Sequence, residues 1–125
     1  MSRCVLDASA VLAYLHREPG FEAVNRLLEG AVMSSVNVAE VATKLVDKGA
    51  HRIDETIGEL ELEIIAFDES LAYRVARLRD ATRGKGLSLG DRACLASAQS
   101  LGLPAVTAER SWALLDAGVE IQVIR

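Results

Sequence analysis

Five short runs rich in branched apolar residues punctuate this chain: Cys4-Val5-Leu6, Ala31-Val32-Met33, Glu63-Ile64-Ile65-Ala66-Phe67, Ala105-Val106-Thr107 and residues 119–124. Each reads as a strand. The segments between them repeat their apolar residues at spacings of three and four, as in Val11, Leu12, Leu15 and then Phe21, Val24, Leu27, Leu28, and these read as amphipathic helices. A third helix is expected to carry Val38, Val41, Ala42, Leu45 and Val46 to the core and to end at Gly49. Strands alternating with helices dictate parallel pairing with helices on both faces. The expected fold is a three-layer α/β/α sandwich on a mostly parallel five-stranded sheet.

That architecture fills the chain. A length of 125 residues makes one domain, 1–125, burying roughly two-thirds of the surface of its unfolded chain. Half the residues are hydrophobic, 26% are charged and two are prolines, which excludes a disordered or collagen-like chain. No apolar run approaches the roughly 20 residues of a membrane helix, and Met1 leads into the first strand without a basic region and cleavage site. A cytoplasmic protein is expected. Cys4 and Cys94 stand far apart without a CxxC motif, as reduced apolar packing residues.

The net charge of −4 argues against holding nucleic acid by bulk attraction. The distribution is uneven: residues 54–69 carry seven acidic side chains and no basic one, whereas residues 74–92 carry six basic ones against Asp80 and Asp91. Arg74, Arg77, Arg79, Arg83, Lys85 and Arg92 are candidates for an RNA path, with a solvated helix face as the alternative. Arg92 and Arg110 lie nearest the acidic residues by sequence.

In an open parallel sheet, ligands bind beyond the C-terminal strand ends. Asp7 ends the first strand, and Glu109 follows the fourth by two residues. Glu40 lies on the third helix, on a turn face shared with Asn37 and Lys44. Asp91 follows Ser88 by three residues ahead of a small-residue helix. Each has a structural explanation: Asp7 as an N-cap, Glu40 in an i, i+4 pair with Lys44, and Asp91 in a capping box. As a set, four carboxylates at one rim would repel one another unless cations neutralised them. Hard divalent cations suit such oxygens, and Mg²⁺ or Mn²⁺ would direct the chemistry toward phosphodiester hydrolysis.

The local motifs are Val5-Leu6-Asp7-Ala8-Ser9-Ala10, Ser35-Val36-Asn37-Val38-Ala39-Glu40-Val41, Leu89-Gly90-Asp91-Arg92-Ala93-Cys94-Leu95-Ala96 and Val106-Thr107-Ala108-Glu109-Arg110-Ser111-Trp112. In order and spacing they resemble the PIN-domain ribonucleases, in particular the VapC toxins of bacterial toxin–antitoxin pairs, over essentially the whole chain. The resemblance implies an endoribonuclease dependent on Mg²⁺ or Mn²⁺ in which Asp7, Glu40 and Asp91 match the three core acidic positions and Ser9 the hydroxyl that accompanies the first. It also implies an RNA substrate, a cognate VapB-like antitoxin that presses a basic or bulky side chain into the acidic pocket, and a homodimer. The fourth position is usually Asp but here is Glu109, whose extra methylene carries the carboxylate outward by roughly one C–C bond. Direct metal contact, contact through water and no contact are its alternatives.

Other readings are an RNA-processing nuclease of the same fold outside a toxin pair and a catalytically degenerate binding module. A phosphoacceptor domain would need an acidic pair beside the first strand, an acceptor Asp after the middle one and a Lys after the last; here the middle strand leads to Phe67-Asp68-Glu69 and no Lys follows residues 119–124. His16, at a helix end, and His51, in a turn, have no triad-like partners in the sequence and receive no catalytic role. Trp112 reads as a packing residue under the last strand.

Overall fold

A computed structural model describes residues 3–125, so that Met1 and the approach to the first strand lie outside the described residues. The elements follow in the order β1 (Val5–Leu6), α1 (Ala8–Leu15), α2 (Phe21–Leu27), β2 (Val32–Ser34), α3 (Ser35–Asp47), α4 (Ile53–Gly58), β3 (Glu63–Ile65), α5 (Glu69–Thr82), α6 (Leu89–Leu101), β4 (Ala105–Thr107) and β5 (Ile121–Val123), with a 3₁₀ turn at Arg110–Leu114 before the last strand. The strands form one sheet in the order β3-β2-β1-β4-β5, and every described pairing is parallel. The anticipated α/β/α architecture is present; β4 falls where expected, β2 is shifted by one residue, and β1, β3 and β5 are shorter than their apolar runs.

Register explains how a two-residue central strand serves two cores. Val5 pairs with Val32 on one side and Ala105 on the other, while Leu6 pairs with Val106. Successive strand residues face opposite ways, so Val5, Val32 and Ala105 join one buried cluster and Leu6, Met33 and Val106 the other. The first cluster packs against α5, α6 and Trp112; the second against Val11, Val24, Val41 and Ile57 of α1 to α4. Each fully buried Val or Leu contributes roughly 1.5–3 kcal/mol. Helix α6 lies close to the sheet because its inner residues are small: Ala93, Cys94, Ala96, Ser97 and Ala98 are all buried. Cys4 and Cys94 are free thiols, also buried.

Two details of α3 correct the sequence reading. Val46 is 54% exposed rather than in the core, because Val41 and Leu45 are one turn apart on the buried face and Val46 lies one residue farther round the helix. Asn37, grouped by sequence with a polar face, is buried. The short helix α4 has no side-chain cap and gave no clear sequence signal; Ile53 and Ile57, four residues apart, tie it to the second core.

Candidate functional site

The strand order reverses between β1 and β4. From β1 the chain builds outward through β2 to β3, then returns to place β4 on the opposite side. A crevice at the C-terminal ends of those two strands is the expected ligand position in such a sheet. Asp7 occupies the end of β1, in extended conformation, as N-cap of α1, and its Oδ1 accepts from the Ala10 amide at 2.8 Å. Thr107, the last residue of β4, donates its hydroxyl to Asp7 Oδ2 at 2.6 Å. Ser9 Oγ lies 2.8 and 2.9 Å from the two Asp7 oxygens and accepts from the Ala108 amide at 2.9 Å. The capping role and a chemical role for Asp7 are therefore compatible, since one carboxylate joins both strand ends.

Asp7 is only 3% exposed. Burial pushes its carboxyl up from an ordinary 3.8 to about 6, against the opposing hydrogen bonds from Thr107, Ala10 and Ser9, and the charge of Asp91 adds to the rise. Behind it, the buried Cys94 thiol is raised first by desolvation and then by negative charge that includes Asp7, Asp91 and Glu40. Three carboxylates thus act on one point beneath the rim.

Glu40 is set by its neighbours rather than by Lys44. Asn37 Nδ2 donates to Glu40 Oε1 at 2.8 Å and to the Gly90 carbonyl at 3.0 Å, binding α3 to the first turn of α6. Gly90 leaves room for the Glu40 carboxylate; a Cβ there would overlap it. Asp91 closes the capping box, accepting from the Ser88 amide at Oδ2 (2.9 Å) while its own amide donates to Ser88 Oγ (3.1 Å). Glu109 is exposed, and its amide donates to Thr107 Oγ1 at 3.0 Å.

Asp7, Glu40, Asp91 and Glu109 line one cavity of about 190 Å³, together with Ser9 and Lys44. Among the described residues, no group of three His, Cys, Asp or Glu side chains is close enough to ligate one ion in the arrangement seen. The donor chemistry nevertheless fits a hard cation. Among the described residues, Glu40 Oε2, Asp91 Oδ1 and the Glu109 carboxylate make no hydrogen bond, and none of the four carboxylates forms an ion pair. A Mg²⁺ ion, which keeps several waters, can be held by such spaced oxygens partly through water.

Several of the basic residues have partners within the chain. Arg92 is turned toward α5, where Nη1 donates to the Val75 carbonyl at 3.2 Å, so it holds two helices together. Arg74 donates to Gln99 at 3.3 Å, Arg83 pairs with Asp80 at 3.2 Å, and Arg110 donates to the Arg125 carbonyl at 3.2 Å. Sequence reasoning had not assigned site roles to Asn37, Thr107, Gly90 or Lys44. For Thr107 a signal existed, a hydroxyl residue closing a strand beside the one that ends in Asp7.

A family model described as the PIN domain matches residues 4–118. Among curated proteins none matches the chain. Solved structures do: a toxin–antitoxin complex from Klebsiella pneumoniae superposes with a TM-score of 0.77 at 20% identity, covering 98% of each chain. A sarcin-ricin loop cleaving VapC toxin of Mycobacterium tuberculosis gives 0.70 at 16% identity, over 94% of this chain and 98% of that one. A member of the VapBC family of toxin–antitoxin systems from the same organism gives 0.64 at 25% identity, over 100% and 99%.

Proposed function

The chain belongs to the PIN-domain family, and on that footing we propose that it is a divalent-metal-dependent endoribonuclease, the toxin of a VapBC-type toxin–antitoxin pair. The observation that carries this reading is the cavity at the β1–β4 switch point, lined by Asp7, Glu40, Asp91 and Glu109. The chain's likeness in fold to a toxin–antitoxin complex, and to a toxin that cleaves the sarcin-ricin loop, supports RNA as the substrate class.

Asp7, Glu40 and Asp91, with Glu109 at the margin, are the residues that would hold Mg²⁺ or Mn²⁺; the ion would acidify water and neutralise charge developing on the phosphodiester. The remaining work falls to the chain itself. Thr107 and Ser9 hold Asp7 with hydroxyl donors that favour its ionised form. Asn37 and Gly90 fix Glu40 so that Oε1 is engaged and Oε2, free of hydrogen bonds, is left for the cation. Ser88 orients Asp91. Hydrolysis by in-line attack needs no covalent intermediate.

An acidic cavity attracts a guanidinium, which suits an antitoxin that inhibits by inserting an Arg. A homodimer completes the proposed assembly, and Leu114, 83% exposed, is a side chain that such contacts would cover. Among the described residues, no helix is long and apolar enough to cross a membrane.

Incubation of the folded protein with RNA in EDTA, Mg²⁺ or Mn²⁺ tests the reading. Internal cleavage that requires metal is expected. Intact RNA under all three conditions would make the chain a binding module instead, and cleavage in EDTA would remove the metal from the mechanism.

A further inference from the structure

Beside the carboxylate cavity lies a second groove of about 220 Å³, which shares Ser9, Leu12 and Lys44 with it and adds His16, Lys48 and Arg125. Its character is opposite. Lys44, in the last turn of α3, and Lys48, the residue capping its C-terminus, are both exposed and lie four residues apart, hence on the same side of the helix end. Neither ammonium has a carboxylate within ion-pair distance among the described residues. The acidic group in the groove, Glu18, is already paired with Arg125 at 3.2 Å.

Arg77 and Arg79 on α5 likewise make no ion pair among the described residues, so what distinguishes Lys44 and Lys48 is their place beside the carboxylate cavity. The groove at α5, with Arg74 and Arg77, includes Asp116 and shares no wall residue with the carboxylate cavity. A polyanion whose scissile phosphate lies at the carboxylates has its flanking phosphates within a few ångströms of that cavity, where the acidic walls repel them unless cations stand alongside. Lys44 stands at the boundary of both spaces, and Lys48 is one helical turn beyond.

We propose that the groove along Lys44 and Lys48 is the phosphate track of the RNA substrate, receiving the backbone immediately beside the bond to be cut, in place of the α5 arginines. This rests on the endoribonuclease reading given above. It assigns RNA rather than an acidic protein segment to the groove, because the track opens directly into the proposed reaction site.

The test is the salt dependence of binding of a labelled single-stranded RNA, measured by anisotropy in EDTA, for the full chain, a Lys44→Ala/Lys48→Ala variant, the Lys44→Arg/Lys48→Arg variant and an Arg77→Ala/Arg79→Ala variant. Metal-dependent cleavage by the unaltered chain is assayed in parallel, and circular dichroism checks the fold of each variant. Each lost phosphate contact lowers the slope of log affinity against log salt by about 0.7 on a single strand. The expected result is a slope smaller by roughly 1 to 1.5 for the alanine pair, restored by the arginine pair and unmoved in the α5 variant. A chain that cuts RNA but whose slope is unchanged by the alanine pair overturns the track while the nuclease reading stands, and leaves the groove to an acidic protein segment. A shift confined to the α5 variant overturns it equally. An unaltered chain that neither cuts nor binds RNA overturns both.

Discussion

Gly90 lies beneath the carboxylate of Glu40 so closely that a Cβ at that position would occupy the same space. The atoms in conflict belong to the end of a flexible side chain, so Gly90→Ala is expected to displace the carboxylate rather than unfold α6. Alanine also favours the helix by about 1 kcal/mol over glycine, which offsets part of the crowding. Calorimetric titration with Mn²⁺ should show affinity weakened about tenfold or more, with a melting temperature close to that of the unaltered protein. Unchanged Mn²⁺ affinity would show that Glu40 does not hold the ion.

Asp7 couples stability and metal affinity to pH in opposite senses. Its folded pKa, near 6, is above the ordinary 3.8, so the folded chain retains a proton that the unfolded chain releases between those values. The stability contributed by this group is fully present below about pH 4 and is lost as pH rises through 6. At about 1.4 kcal/mol per unit, that amounts to a few kcal/mol. Urea unfolding in EDTA should therefore show the unaltered chain losing stability relative to Asp7→Asn between pH 4 and 7. A proton competes with the cation for the same oxygens, so Mn²⁺ affinity should rise about tenfold per unit below pH 6 and flatten above it. Two parallel stability profiles would contradict the raised pKa.

Thr107 acts through Asp7. Thr107→Val keeps the β-branched shape that β4 requires but removes the donor held 2.6 Å from a buried carboxylate. Loss of a hydrogen bond to a charged group costs about 1.5–3 kcal/mol, to be read from urea unfolding at pH 8, where Asp7 is ionised. With that donor gone, the Asp7 carboxyl should rise further, moving the acid limb of the cleavage–pH profile upward by about one unit. A stability loss without movement of that limb would give Thr107 a purely structural role.

The layered fold was legible because the strands differ in period from the helices, and because Val5-Leu6 and Ala105-Val106 have the branched apolar character of a buried parallel sheet. The four carboxylates were legible one at a time, Asp7, Asp91 and Glu109 from strand ends and a helix start and Glu40 from the polar face of its helix, and their gathering followed from topology. Asn37 was not legible. Its burial depends on α3 meeting α6, a contact between segments 53 residues apart that carries no local pattern. The contact of Arg92 with α5 was not legible for a similar reason: its neighbour Asp91 lines the cavity, but one residue rotates the next side chain far enough round α6 to reach Val75. Val46 was placed inward by an apolar count that overran the width of the buried face.

The central claim is that Asp7, Glu40 and Asp91 together hold the ion that makes this chain a nuclease, and the most direct test is Asp7→Asn assayed for Mn²⁺ binding and RNA cleavage in the same preparation. Asparagine retains an oxygen able to cap α1 at the Ala10 amide, so circular dichroism and melting should report an intact fold. The predicted result is a folded protein that neither binds Mn²⁺ with the affinity of the unaltered chain nor cuts RNA above the EDTA control. Cleavage at the full rate by Asp7→Asn would contradict the account.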